Sequence, residues 1–293
     1  MINEIVIPER LKIYDFRSNL IVDRNNPILI QKAGRDRFSG DSFWKKGKDG
    51  GKAYIGVQHG EDAMTWNVFR SLQKEGQRGC EIISWVLGLS RVEKILFWGC
   101  DVESHSEVQQ LLNILIRTTD GKLQGTMTEP DLVIITDIEV AFVECKLNLS
   151  GRQSPWKAQQ GAPGRESGAF KRMGIYKKIF PELDSVKDWQ DIYQLIRQYV
   201  YASLLAGELN KTTEVKREPV VIPLINKEHI SGEHGDALTR LFEKSKHSPL
   251  GKNGVFRDYV TWQDLFDAIS RLDLKCGPTL QKQMWAALEA SKK

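Results

Sequence analysis

Three charged residues stand at the ends of the two most strand-like runs of this 293-residue chain, "PDLVIITDIEVAFVECKL" at residues 130–147: Asp131, Glu144 and Lys146. Side chains on a strand alternate between faces, so Glu144 and Lys146, two positions apart, point the same way. A turn near Thr136 and Asp137 would fold the second run back along the first and bring Asp131 beside the Glu-Cys-Lys end. Two adjacent carboxylates are costly to half-bury unless a cation compensates them. Hard oxygen ligands from Asp131 and Glu144, with the backbone carbonyl of Cys145, are what Mg2+ accepts while keeping several waters and a substrate phosphate. Lys146 would then orient or help deprotonate an attacking water, or steady the charge developing at phosphorus.

The elements that must hold these residues can be read on either side of them. "HGEDAMTWNVFRSLQKEG" predicts a helix with acids in its first turn, apolar Met64, Val68 and Leu72 at helical spacing, and Gly76 to close it. A short apolar helix "CEIISWVLGL", a strand "EKILFWG" and an amphipathic helix "SEVQQLLNILIRT" precede the hairpin. After it come the longest helix, "DWQDIYQLIRQYVYASLLAGELNK", a strand "PVVIPLIN", and the C-terminal helices "GDALTRLFEKSK", "TWQDLFDAISRL" and "TLQKQMWAALEASKK". The first fifty-odd residues, with pieces such as "NPILIQKAG", read as small strands and loops. The order predicts an α/β chain with a mixed central sheet flanked by helices.

Pro130-Asp131, twelve intervening residues, then Glu144-Cys145-Lys146, with Asp131 opening one strand and the ExK closing the next, resembles the PD-(D/E)XK nuclease superfamily with its restriction-endonuclease-like fold. The resemblance implies an αβββαβ core, divalent-metal-dependent phosphodiester hydrolysis, and catalysis by Asp131, Glu144 and Lys146. It implies Mg2+ as cofactor, with Mn2+ able to substitute, held by Asp131, Glu144 and the Cys145 carbonyl. Families of this fold carry an acid on the first core helix, for which Glu61 is favoured over Asp62: Glu61 lies on the stripe of Met64, Val68 and Leu72, whereas Asp62 falls with Trp66 and Phe69. Acids in a first helical turn also simply complement the helix dipole. The helix after the ExK strand often offers a polar group to the scissile phosphate, which points to Gln194 and Arg197, on one face with Tyr201. A QxxxY pattern is not matched there: Gln194 and Tyr199 are one residue too far apart, Gln198 and Tyr201 one too close.

These readings divide the chain into residues 1–53, N-terminal strands and a basic loop packed on the core; 54–226, the nuclease core with a basic insert at 151–178; and 227–293, a helical C-terminal extension. The net charge of +4 is mild, but cations concentrate at 32–52 and 151–178 with aromatic residues interleaved. Such loops suit a nucleic-acid backbone, and they also suit plain solvated surface. The expected partner is nucleic acid, in the first place DNA, with a homodimer or a larger defence complex as further candidates; cutting of both strands would call for a dimer or two sequential nicks. No apolar run reaches the ~20 residues of a membrane span, and the beginning of the chain lacks a signal-peptide layout, so a soluble, cytoplasmic protein is expected.

The sequence also argues against other chemistries. Four cysteines show no metal or redox spacing, five histidines form no HxxxH or HExxH, and neither a P-loop nor a GxSxG occurs. The expectation is therefore a Mg2+-dependent nuclease acting on DNA phosphodiester bonds, with restriction or defence against foreign DNA as the role the superfamily suggests. The alternatives are a catalytically silent module that binds nucleic acid or a protein, and a structural ion-pair network around Lys146 in an unrelated α/β protein.

Overall fold

The computed structural model describes residues 20–29, 61–103, 106–120, 129–147, 168–186, 189–229, 255–275 and 277–290. The chain divides into two compact units, one of Met1–Ile82 with Phe266–Lys293, the other of Ile83–Leu265.

In the first unit one helical run begins at Glu61. It passes from an α-helix, α1 (Glu61–Thr65), through a π-helical turn at Trp66–Arg70, into α2 (Ser71–Lys74), and Gly76 ends it at φ +67°. The π turn inserts extra backbone per turn and so breaks the even helical spacing. Met64, Trp66, Val68, Phe69 and Leu72 are all buried, so no single stripe faces inward. Side chains of the π turn hold residues 20–26. Trp66 Nε1 donates to the Val22 carbonyl (2.9 Å), Asn67 Oδ1 accepts from the Ile21 N–H (3.0 Å), and Arg70 pairs with Asp23 (2.8 Å). Asn67 also donates to Gln283 (2.7 Å) on α8 (Gly277–Ala290). Residues 27–29 are helical rather than extended, which corrects the strand expected there: Pro27 is preset for a first helical turn, and Asn26 accepts the Ile28 N–H ahead of it. Between α2 and the second unit, α3 covers Gln77–Leu87.

The second unit is built on a six-stranded mixed open sheet flanked by helices. The strands are β1 (Val92–Phe97), β2 (Cys100–Asp101), β3 (Leu132–Thr136), β4 (Glu139–Lys146), β5 (Glu218–Ile225) and β6 (Val260–Thr261), in the order β2-β1-β3-β4-β5-β6. The pairs among β2, β1, β3 and β4 are antiparallel, and those of β4 with β5 and β5 with β6 are parallel. Parallel pairing of β4 and β5 needs a crossover. It contains α5 (Gly168–Ile179) and α6 (Tyr193–Thr212), the latter entered from a 3-10 turn at Trp189–Ile192. Before β3 lies α4 (Glu107–Asp120), and after β6 comes α7 (Trp262–Ser270).

The alternation of β4 divides its two faces. Val140 and Phe142 join Leu96, Val133 and Ile135 in a core closed by Leu112 and Ile116 of α4 and by Tyr201, Ala202 and Leu205 of α6. A second core sets Val221 and Ile225 of β5 against Ile196 and Val200 of α6 and Met173 and Tyr176 of α5. Ala141, Val143 and Cys145, on the other face of β4, are wholly buried. The far end of the hairpin is closed by its own side chains. Thr136 Oγ1 accepts the N–H of Glu139 (2.7 Å), while buried Glu139 accepts from the Ser90 N–H (2.8 Å) and the Thr136 hydroxyl (3.0 Å) and pairs with Arg257. No helix among the described residues is long and apolar enough to cross a membrane.

Candidate active site

Leu132 stands opposite Val143, and continuing that register by one residue sets Asp131 opposite Glu144. Contacts with Cys145 and Trp98 help to hold Asp131 there. Its Oδ2 accepts the backbone N–H of Cys145 at 2.8 Å, and its carbonyl accepts the N–H of Trp98 at 3.1 Å. Trp98 belongs to the two-residue Trp98-Gly99 turn between β1 and β2, and both residues have positive φ (51° and 76°), as a tight hairpin of this kind requires. A bulky residue in the left-handed region is a strained choice. Its consequence is an N–H aimed at the backbone of Asp131.

Glu144 and Lys146 share the α6-facing side of β4, as strand alternation requires. The Lys146 ammonium lies 2.9 Å from Glu144 Oε1, with their side chains 16% and 5% exposed. On the remaining carboxylate oxygen, Oε2, Glu144 accepts Nε2 of Gln198 at 2.6 Å. Gln198 is fully buried on α6. A buried carboxylate is thus compensated by one cation and one amide, and the hydrogen bonds to it are charge-assisted. Cys145, between the two charged residues, points to the opposite face and is completely buried.

Of the residues singled out in the sequence, Asp131, Glu144, Lys146 and Cys145 come together at one end of the β3–β4 hairpin. Gln194 and Arg197 are half-buried on α6, and Gln198, one turn beyond Gln194, is the residue that reaches Glu144. The signal for Gln198 was present: it lies on the stripe of Leu195, Ala202 and Leu205, all buried, where a lone amide needs a buried partner. Glu61 and Asp62 belong to the first unit, where each is half-buried in the first turn of α1. Burial therefore does not separate them, and the π turn removes the even spacing on which the choice of Glu61 rested.

The basic segment 32–52 and residues 151–167 of the insert lie outside the described residues. Of the remaining cations, Lys171 and Lys178 are exposed on α5, Lys177 pairs with Asp184 (3.1 Å), and Arg172 is buried against Asp120 (3.0 Å). Arg172 therefore does not belong to a solvent-facing basic run. No group of three or more His, Cys, Asp or Glu side chains suited to a metal ion occurs among the described residues. The local chemistry here is two carboxylates, one ammonium and one amide at a strand end. Comparison with protein-family models, with curated proteins and with solved structures finds no match to this chain.

Proposed function

We propose that this chain is a Mg2+-dependent nuclease of the restriction-endonuclease-like type, hydrolysing phosphodiester bonds in DNA. The observation that carries the reading is the convergence of Asp131 on the Cys145 N–H, one residue from the Glu144–Lys146 pair. The element order adds support. An antiparallel β1–β3–β4 meander followed by α6 and parallel β5 fits the αβββαβ core that the resemblance implies, with β2 and α4 inserted after β1.

The donor set fits a hard divalent ion. Asp131 and Glu144 offer only oxygen, and a carboxylate has about four lone-pair sites, of which Glu144 gives one to Lys146 and one to Gln198. Asp131, Glu144 and the Cys145 carbonyl would hold the ion, with Mn2+ an acceptable substitute. A bound Mg2+ supplies Lewis-acid polarisation of a phosphoryl oxygen and a more acidic water. Gln198 fixes the Glu144 carboxylate in one orientation. Lys146, held against Glu144, orients the attacking water by hydrogen bonding and offsets negative charge building on the phosphate.

The test is incubation of the purified protein with supercoiled plasmid, linear DNA and RNA in Mg2+, Mn2+ or EDTA, beside Asp131→Ala and Lys146→Ala. Metal-dependent cutting of DNA, lost in both folded variants, is the expected result. Binding without cutting by wild type and variants alike would replace the nuclease with a nucleic-acid-binding module.

A further inference from the structure

A two-residue hairpin turn with both residues at positive φ is adopted cheaply by asparagine, aspartate and glycine. The turn between β1 and β2 has glycine at its second position and tryptophan at its first, with Trp98 at φ +51°. The other non-glycine residue at positive φ among the described residues, Asp23, is of the tolerant kind. A bulky side chain persists in this region only where its surroundings over-determine it. Trp98 is 2% exposed, and its ring lies 6.1 Å from that of Phe97. Burial of the indole, against the local preference of the backbone, therefore fixes the turn.

The fixed turn lies against the start of β3. Phe97 pairs with Leu132 at the end of the β1–β3 register, and the Trp98 N–H extends the ladder by one bond, to the Asp131 carbonyl. Pro130 has no N–H with which to extend it further. Gly99 packs there instead: a Cβ on it would stand 3.9 Å from Cγ and Cδ of Pro130 and 3.4 Å from a Leu112 methyl. The turn thus meets both residues of the Pro130-Asp131 pair. Asp131 is gripped from β1 through its carbonyl and from β4 through its carboxylate, on the Cys145 N–H. Both groups hang on one Cα, so a shift of the turn is passed to the carboxylate.

We propose that Trp98 is a positioning residue for the Asp131 carboxylate. Its buried indole locks the turn whose N–H sets where Asp131 enters β3, and so the direction in which Asp131 presents its oxygens beside Glu144. Groups that hold an ion must be kept within about 0.5 Å of the working geometry, and a strained, over-determined turn is a rigid support for one of them. The consequence for catalysis rests on the nuclease reading; the coupling of Trp98 to the Asp131 carboxylate does not.

Amide hydrogen exchange of the whole protein in EDTA, read residue by residue by NMR, tests the coupling without any activity. In Trp98→Ala the Cys145 amide should exchange at least tenfold faster than in wild type, while those of Ile134 and Ala141, in the middle of the hairpin, keep their rates. Trp98→Phe, which keeps a large buried ring, should restore most of the protection. Gly99→Ala, which drives a Cβ toward Pro130 and Leu112, should act in the same direction as Trp98→Ala and serves if that variant does not fold. Cleavage of DNA gives the second readout: the Mg2+ concentration for half-maximal rate should rise at least tenfold in Trp98→Ala, with the rate recovered at saturating Mg2+, whereas a protein that is merely less folded loses rate at every concentration. Selective exchange at Cys145 in a protein that cuts no DNA would support the positioning role and remove the nuclease. Exchange at Cys145 that is unchanged in both variants, or faster only in step with Ile134 and Ala141, overturns the proposal, as does an unchanged Mg2+ requirement in a variant that cleaves; Trp98 then only fills space beside Phe97.

Discussion

Lys146→Met keeps the length of the side chain and removes its charge, which isolates the electrostatic role of the residue. The Glu144 carboxylate is 5% exposed, and its pair with Lys146 spans 2.9 Å. Breaking a buried ion pair from one side costs about 3–5 kcal/mol, because the remaining charge is left uncompensated. Lys146 itself is 16% exposed, and Gln198 continues to donate to Glu144, so the lower end applies. The expected loss is about 3 kcal/mol, or a fall of about 6–12 °C in Tm for a chain of this size. Thermal and urea unfolding followed by circular dichroism measure it. The double variant with Glu144→Gln has no stranded charge and should recover much of the loss, giving a coupling of about 2 kcal/mol in a double-mutant cycle. A loss under about 1 kcal/mol with no coupling is what a solvated pair gives, and it would refute a compensated carboxylate at this strand end.

Three further outcomes follow from the same geometry. Gln198→Met removes a charge-assisted hydrogen bond worth about 1.5–3 kcal/mol and should slow metal-dependent cleavage roughly 10- to 100-fold, measured at fixed Mg2+. On β1, Lys94 donates to buried Asp101 at 2.7 Å. Burial alone would raise the Asp101 carboxyl, but hydrogen bonds from Lys94, the Glu103 N–H and Ser106, with the Lys94 charge, together hold it below the usual carboxylate range. Its contribution to stability is complete above the ordinary Asp value of about 3.9 and is lost as pH falls through the lower folded-state value. The stability gap between wild type and Asp101→Asn should therefore narrow below about pH 4 in acid titrations of unfolding. Finally, a Cβ at Gly79 would sit 1.8 Å from the Leu72 carbonyl oxygen, so Gly79→Ala must shift backbone and should destabilise by about 3 kcal/mol in urea unfolding.

The β3–β4 hairpin was legible because its signals are local: two apolar runs, a polar turn, and charges at the free ends. The turn itself lies at Asp137 and Ile138, one residue beyond the expected Thr136-Asp137, because the Thr136 hydroxyl caps the following N–H groups. The mixed sheet was legible for the same reason, since a hairpin, a long helix and one more strand admit few arrangements. What escaped depends on partners distant in sequence. Gln198 meets Glu144 across 54 residues: its position on an apolar stripe calls for a buried partner but does not name it. The two-residue strands β2 and β6 are too short to carry any periodicity. The π turn at Trp66–Arg70 is fixed by tethers to residues 20–26, which no local pattern announces.

The most direct measurement of the central claim is the single-turnover rate of cleavage of an end-labelled DNA duplex by Glu144→Gln beside wild type, with and without Mg2+. The substitution preserves size and keeps one acceptor oxygen, for Lys146 or for Gln198, while it removes the charge that would hold the ion. Cleavage by wild type that requires Mg2+, and falls at least a hundredfold in a Glu144→Gln variant with an unchanged circular dichroism spectrum, is the predicted result. Equal rates in the two proteins, or cleavage by wild type that persists in EDTA, would contradict it.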